Sequence, residues 1–142
     1  MRRAFWALVI MAVVVGCGDS GPPAGGGGAN VTTEKPPVSA VWFGTAFDPT
    51  SLALTDKSSS FKAGSPIVAI ATLLAARPPE ELSVKIQTSG SVKATLPITP
   101  GGVGNSFGAE LTSANLGPGS YLISFVDKTG KALASASFNV TP

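Results

Sequence analysis

Residues 116–140 read LGPGSYLISFVDKTGKALASASFNV. Within this stretch Tyr121, Ile123 and Phe125 place large apolar side chains at every second position, and a second run with the same period follows. A period of two is that of a β-strand with one buried face. The four residues between the two runs, DKTG at 127–130, end in a glycine, which suits the left-handed conformation of a bulged hairpin loop. The stretch therefore predicts a hairpin whose strands cover residues 121–126 and 133–140.

Shorter alternating runs lie upstream of this hairpin. Leu82, Val84 and Ile86 alternate with polar residues and lead into a Thr-Ser-Gly turn, after which a second alternating run completes another hairpin. Further strand-like runs lie on either side of this pair, and one of them, residues 67–76, is apolar throughout rather than alternating. The additional predicted strands cover residues 41–47, 67–76, 82–87, 92–96 and 107–111.

The segments between these strands are interpreted from their composition. Residues 48–60 are rich in Ser and Thr, with Leu52 and Leu54 as isolated apolar contacts, and are predicted to be a loop. The Pro/Gly-rich residues 100–105 are predicted to be a flexible loop. Residues 67–76 are apolar on both faces, and their Ala and Leu content permits a short helix. The β-branched residues at the start of that segment favour a central strand.

About seven short strands in residues 38–142 predict an all-β fold, an immunoglobulin-like antiparallel β-sandwich. Residues 116–121, LGPGSY, resemble the tyrosine corner of fibronectin type III and related immunoglobulin-like domains, which reads Leu-x-Pro-Gly-x-Tyr. The resemblance implies that the Tyr121 hydroxyl group forms a hydrogen bond with the preceding connection. The end of the chain is also similar to the end of many bacterial extracytoplasmic sandwich modules. The buried Trp and Cys pair of antibody domains is not found in the sequence, so an antibody-type domain is not implied.

The first residues of the chain have the pattern of a secretory signal. Arg2 and Arg3 give a positive start, and residues 4–15 are twelve apolar residues in succession. A helix that spans the hydrocarbon core needs about 20 such residues. The segment is therefore interpreted as a signal peptide over residues 1–16 rather than as a transmembrane helix.

The signal ends in Val14-Val15-Gly16-Cys17, which resembles the lipobox of bacterial lipoproteins. The resemblance implies cleavage before Cys17, a diacylglyceryl thioether on its sulfur and an acyl group such as palmitate on the new amino terminus. Two or more acyl chains hold a protein stably at a membrane, whereas one chain holds it only marginally. The alternative is a plain secreted protein whose signal happens to contain a cysteine.

Between the anchor and the sandwich lies a Gly/Pro-rich segment. Residues 18–37 contain six glycines and four prolines, and Val31 is their only sizeable apolar side chain. Such a composition cannot offset its ordering entropy by burial and predicts a disordered linker. The predicted organisation is a signal peptide at 1–16, a lipidated cysteine and linker at 17–37, and the sandwich domain at 38–142.

Charge and cysteine usage exclude several classes of function. The full chain has ten basic and eight acidic residues. Two of the basic ones, Arg2 and Arg3, belong to the signal, so the mature chain is neutral. No cluster of Lys or Arg predicts nucleic-acid binding. Cys17 is the single cysteine, so the domain can contain no disulfide.

Catalytic and metal-binding residues are scarce. The chain has no histidine, which excludes Ser-His and Cys-His nucleophilic pairs and histidine metal sites. Carboxylate pairs remain conceivable, as in a small glycan-active enzyme, but the acids are scattered and predict neither a calcium site nor a dyad. The sequence predicts no enzyme activity, no cofactor and no metal. The acids weighed as candidates are Asp48, Asp56, Glu80, Glu81, Glu110 and Asp127.

Trp42 and Phe43 are the candidate partner-binding residues. Neighbours in a strand point to opposite faces, so one should fill the core and the other should face solvent or another layer. An exposed aromatic could anchor a partner. The alternative is that the 48–60 loop covers both.

The predicted function is that of a membrane-anchored lipoprotein whose sandwich is a binding or structural module in the cell envelope. Its partners would be the membrane, through Cys17, and an envelope protein or glycan. A small carboxylate-dependent enzyme or a sensor of a soluble ligand is the alternative. Asp19 stands one position later than the aspartate that resembles an inner-membrane retention signal, so attachment to the outer membrane is predicted.

Overall fold

The computed structural model describes residues 29–142, and most of this part is β-strand. No helix in this range is long and apolar enough to cross a membrane. Single turns of 3₁₀-helix occur at Pro79–Glu81 and Thr112–Ala114. The strands are β1 (Val31–Thr32), β2 (Val41–Gly44), β3 (Ala46–Phe47), β4 (Leu54–Thr55), β5 (Ser60–Lys62), β6 (Val68–Thr72), β7 (Leu82–Thr88), β8 (Ser91–Pro97), β9 (Thr99–Val103), β10 (Ser106–Glu110), β11 (Gly119–Asp127) and β12 (Ala132–Thr141).

Two sheets form a sandwich. One has four strands in the order β2-β6-β10-β9, and the other has five in the order β5-β12-β11-β7-β8. With β2, β6, β7, β9, β10, β11 and β12 taken as strands A to G, these orders contain the ABED and GFC sheets of the immunoglobulin fold. All pairs are antiparallel except β5 with β12. The predicted immunoglobulin-like sandwich is therefore confirmed.

The main core lies between the two sheets and is centred on Phe138. Its ring lies 4.9 Å from that of Phe43, 5.6 Å from that of Tyr121 and 5.9 Å from that of Phe61, measured between centroids. These partners come from β2, β11 and β5, so one side chain joins both sheets. Separations of 4.5–7 Å are those of favourable aromatic pairs.

A third layer covers the outer face of the four-stranded sheet. It is a small sheet in the order β1-β4-β3, and Leu52 and Leu54 form a second buried cluster beneath it with Val68 and Ile70. The prediction of a plain loop over 48–60 is wrong. Two apolar residues in a polar segment are too few to show a strand period, yet their burial holds the β3–β4 hairpin against the sandwich.

The second cluster explains why β6 is apolar on both faces. All five residues of Val68–Thr72 are buried, with one face toward the main core and the other toward the third layer. The choice left open over residues 67–76 is thereby resolved in favour of a strand. The strand ends at Thr72, and Leu74 beyond it is exposed.

Two composition-based expectations are corrected. Most of the predicted loop 100–105 lies in β9, which pairs with β10 at the edge of its sheet, where Pro and Gly are tolerated. The predicted disorder of the linker does not extend to Val31–Thr32, which pairs with β4. Asn30 and Asp56 reinforce this pairing, because each backbone N–H donates to the other residue, at 3.0 and 2.7 Å. Residues 1–28, with the predicted signal peptide and most of the linker, lie outside the described part.

The tyrosine corner is present. The Tyr121 hydroxyl group donates a 2.8 Å hydrogen bond to the backbone oxygen of Gly117, four residues upstream. This contact fixes the entry of the chain into β11, as the resemblance implied.

We expect Tyr121→Phe to lower the free energy of unfolding by about 1 kcal/mol, the net value of one such hydrogen bond. The ring and its stacking on Phe138 stay in place, and water can reach the half-buried Gly117 to replace the hydroxyl group. Urea unfolding with an unchanged m-value measures the effect. Leu122→Ala, at the exposed neighbouring position, should change stability by less than about 0.5 kcal/mol. Equal effects of the two substitutions would contradict a role for the corner.

Candidate binding groove

The structure separates the two candidate aromatics as the strand alternation predicted. Phe43 is buried in the main core, whereas Trp42 is half-buried and packs against the second cluster on the opposite face of β2. The third layer thus covers Trp42 only in part. Trp42 is the aromatic of the pair that a partner could contact directly.

Lys57 lies over the exposed part of Trp42. Its Nζ atom is 3.1 Å from the ring centroid, within the range of a cation–π contact. The chain turns at Asp56, whose φ is +47°. The Asp56 carboxylate accepts hydrogen bonds from the Asn30 backbone and, at 3.2 Å, from the Thr45 hydroxyl group. These bonds fix the point where the chain returns from the third layer and so position Lys57.

A groove with a volume of about 330 Å³ runs from Trp42 to β12. It lies where the edge strand β2 of one sheet passes β12 of the other. Its floor is apolar, and its rim has one cation, three serines and no carboxylate. The lining residues are Val41, Trp42, Phe43, Lys57, Ser58, Ser59, Ala136 and Ser137.

Sequence reasoning found Trp42 and Phe43 but missed the rest of this groove. Lys57 and Ala136 lie far from β2 in the chain and from each other. No local motif marks them, because only the return of the chain from the third layer and the pairing of the last hairpin bring them together.

The candidate acids have structural roles at turns and on the surface. The pKa of Asp48 is lowered because its carboxylate accepts hydrogen bonds from Ser51, most strongly from the backbone N–H, and from the Thr50 backbone. The pKa of Asp127 is lowered chiefly by the Thr129 hydroxyl group, at 2.6 Å. Both are turn aspartates, as their sequence context predicted.

The remaining acids do not converge on a groove. Glu81 forms a surface ion pair with Lys128 at 3.1 Å, and Glu80 and Glu110 are exposed. Among residues 29–142, no three His, Cys, Asp or Glu side chains are grouped so as to hold a metal ion. None of the four grooves described on the domain is lined by a carboxylate.

The predicted lipidation site, Cys17, lies outside the described residues and stays a prediction.

No protein-family model and no curated protein matches this chain. Among solved structures, the chain is similar to a single mutant of a thermostable endoglucanase from Alicyclobacillus acidocaldarius. The TM-score is 0.47 and the sequence identity 12%, over 72% of this chain and 15% of the other. The chain therefore spans a small part of that protein, and a likeness at this level carries no argument about activity.

Proposed function

We propose that this protein is a membrane-anchored lipoprotein of the cell envelope and that its immunoglobulin-like domain is a non-catalytic binding module. The observation that carries the proposal is the groove between Trp42 and β12. A half-buried aromatic, an apolar floor and a single cation are features of a recognition site.

The polar groups of the groove are suited to binding rather than to chemistry. A serine nucleophile needs a neighbouring base. The lining holds no histidine or carboxylate, and the Lys57 Nζ atom lies on the Trp42 ring, 3.1 Å from its centroid, rather than on a serine hydroxyl group. The hydroxyl group of Ser58 is already engaged, because it donates to the Ser60 carbonyl oxygen at 2.8 Å and accepts from the Ser60 N–H at 3.0 Å. A hydroxyl group held in this way provides shape complementarity and is not free to act as a nucleophile.

The lipobox-like sequence supplies the tether in this proposal. The twelve residues 18–29, fully extended, span at most about 40 Å. A diacylglyceryl group on Cys17 would therefore keep the groove close to the bilayer, where the partner would be another component of the envelope. The position of Asp19 supports the outer membrane as the site of attachment.

The proposal is tested in native envelopes with tagged full-length protein. Labelling with an alkyne analogue of palmitate should mark the wild-type chain and leave Cys17→Ala unlabelled. A photo-crosslinking residue placed at position 59, an exposed serine of the groove lining, leaves Lys57 and Trp42 intact and should capture one envelope component. The same residue at position 93, on the far edge of the sheet, is the matched control.

Each arm can contradict the proposal. An unlabelled wild-type chain would remove the lipoprotein assignment. Equal capture from positions 59 and 93, or none from either, would remove the groove as the binding site. Loss of the position-59 product in Cys17→Ala is expected, because the soluble form no longer stays near the membrane.

A further inference from the structure

The geometry points to the kind of partner that this groove accepts. We propose that an extended peptide adds to the open edge of β12 as a further strand and places an acidic side chain beside Lys57. This inference rests on the proposed function, since it names the partner class of the same groove.

One edge of β12 is open because a neighbouring strand pairs with only a short part of it. β12 runs from Ala132 to Thr141 and pairs with β11 on one side nearly throughout. On its other side β5 pairs only with residues 139–141, and no other strand of the described part pairs with residues 132–138 there.

The unpaired backbone groups can be placed from the neighbouring bonds. The N–H of Asn139 points to the open side, because it donates to the Ser59 carbonyl oxygen at 2.9 Å. In an antiparallel strand the direction of these groups alternates. The N–H and C=O groups of Ser137 and Ser135 therefore point to the same open side, and Ser137 lines the groove.

The edge is open because the chain turns away from it. After Gly44 the backbone leaves the sandwich, forms β3 and β4 over the outer face, and returns to β12 only at Ser60. The third layer thus uses the residues that would otherwise continue alongside β12.

The other long edges of the sandwich carry protective features. β8 contains Lys93 and Pro97, and β9 contains Pro100. Charges and prolines are the usual means by which proteins prevent unwanted strand pairing. Residues 132–138 read ALASASF and have neither. The register with β11 shifts near Leu133, so the regular part of this edge covers residues 134–138. An uncharged, regular edge beside an apolar groove is a template for strand addition.

The lining of the groove specifies the chemistry of the added strand. Alternate side chains would face the floor formed by Val41, Phe43 and Ala136, which suits small apolar residues. Lys57 brings a positive charge, and the only ion pair of the described residues is elsewhere, between Lys128 and Glu81. Charge complementarity therefore calls for a carboxylate on the peptide. Seven residues of open edge give a length of about 23 Å.

The test uses the full chain in detergent and synthetic ten-residue peptides in which Val alternates with Thr. In the first set, one glutamate replaces a different residue in each peptide. A second set carries lysine in place of the glutamate. A third set keeps the glutamate and carries N-methyl groups on alternate amides. Fluorescence anisotropy should show that a glutamate peptide binds. The affinity should be at least about tenfold lower for the lysine set, which lacks the carboxylate for Lys57, and for the N-methyl set, which lacks backbone N–H donors. Bound peptide should slow amide hydrogen exchange at Ser135 and Ser137.

Two matched charge reversals keep the result independent of folding defects. Lys57→Glu should reverse the preference toward the lysine peptide, whereas Lys93→Glu, an equal change on the opposite edge, should not. Ser137→Pro, which removes one edge N–H, should weaken binding by at least about tenfold.

Several results would overturn the inference. These are binding by no peptide, protection at β8 in place of β12, and slow exchange at Ser135 and Ser137 without peptide. Slow exchange without peptide would mean that the edge is already paired. If the slow exchange depends on protein concentration, the pairing is with a second copy, and if it does not, the pairing is with residues 18–28. Crosslinking from position 59 without peptide binding would keep the proposed function and remove only strand addition. Peptide binding without crosslinking in envelopes would show that the edge of β12 accepts a strand, and it would remove an envelope component as the partner.

Discussion

Phe138→Ala is expected to lower the free energy of unfolding by about 3–5 kcal/mol, the range for truncating a fully buried phenylalanine. The side chain is 1% exposed and contacts aromatic rings from three other strands. Its removal takes away apolar burial and leaves a cavity between rings that cannot all close in. With Cys17 as the single cysteine, no disulfide limits the loss.

Urea unfolding followed by tryptophan fluorescence measures this effect, because Trp42 lies on β2 of the facing sheet, next to Phe43, which packs on Phe138. Val92→Ala is the control, since Val92 is 54% exposed on β8 and should cost less than about 0.5 kcal/mol. A cost below about 1.5 kcal/mol for Phe138→Ala would mean that the sheets close over the cavity and that Phe138 is not the centre of the core.

Sequence reasoning placed the bounds of a strand best where a period of two is plain in the sequence. Residues 82–87, 121–126 and 133–140 were predicted and lie within β7, β11 and β12. In each of them a period of two is imposed by the sandwich core, so the signal is local and strong. The tyrosine corner was predicted from a motif that also lies within a few residues.

The third layer was missed because nothing local encodes it. β3 and β4 have two residues each and are too short to show a period. β4 is held in place by the burial of Leu54 against Val68 and Ile70 of β6, which are distant in the sequence. Most of the groove was missed for the same reason. The separation of Trp42 from Phe43 follows from strand alternation, but the position of Lys57 and the open edge of β12 depend on where the chain leaves and re-enters the sandwich.

The contact between the third layer and the sandwich gives the second large expected effect. A Cβ atom on Gly44 would meet the backbone oxygen of Thr55 and the side chain of Leu54 well inside contact distance. Gly44→Ala is therefore expected to lower the free energy of unfolding by about 2–3 kcal/mol, the upper range for overpacking. No side chain can rotate away from this clash, because the closest atom belongs to the backbone of β4.

A comparison with Gly108→Ala, on β10, distinguishes a clash with a backbone atom from a clash with a movable side chain. Its Cβ would lie 2.6 Å from the end of the Phe47 ring, so the obstacle is a side chain. Alone, Gly108→Ala should destabilise by about 1–2 kcal/mol. In a Phe47→Ala background it should be neutral or stabilising, because alanine in an open strand is preferred over glycine by about 0.5–1 kcal/mol.

A double-mutant cycle for each glycine with Phe47→Ala measures the difference. The Gly108 cycle should give a coupling of about 2 kcal/mol, and the Gly44 cycle should give little, since its clash is with β4 itself. If Phe47→Ala relieved both glycine substitutions equally, the third layer would be a loosely attached hairpin that shifts as a whole. If it relieved neither, Phe47 would not pack on Gly108. The expected contrast, with one substitution rescued and the other not, requires that β4 lies fixed on β2 by backbone contact while β3 is held to β10 by a single ring.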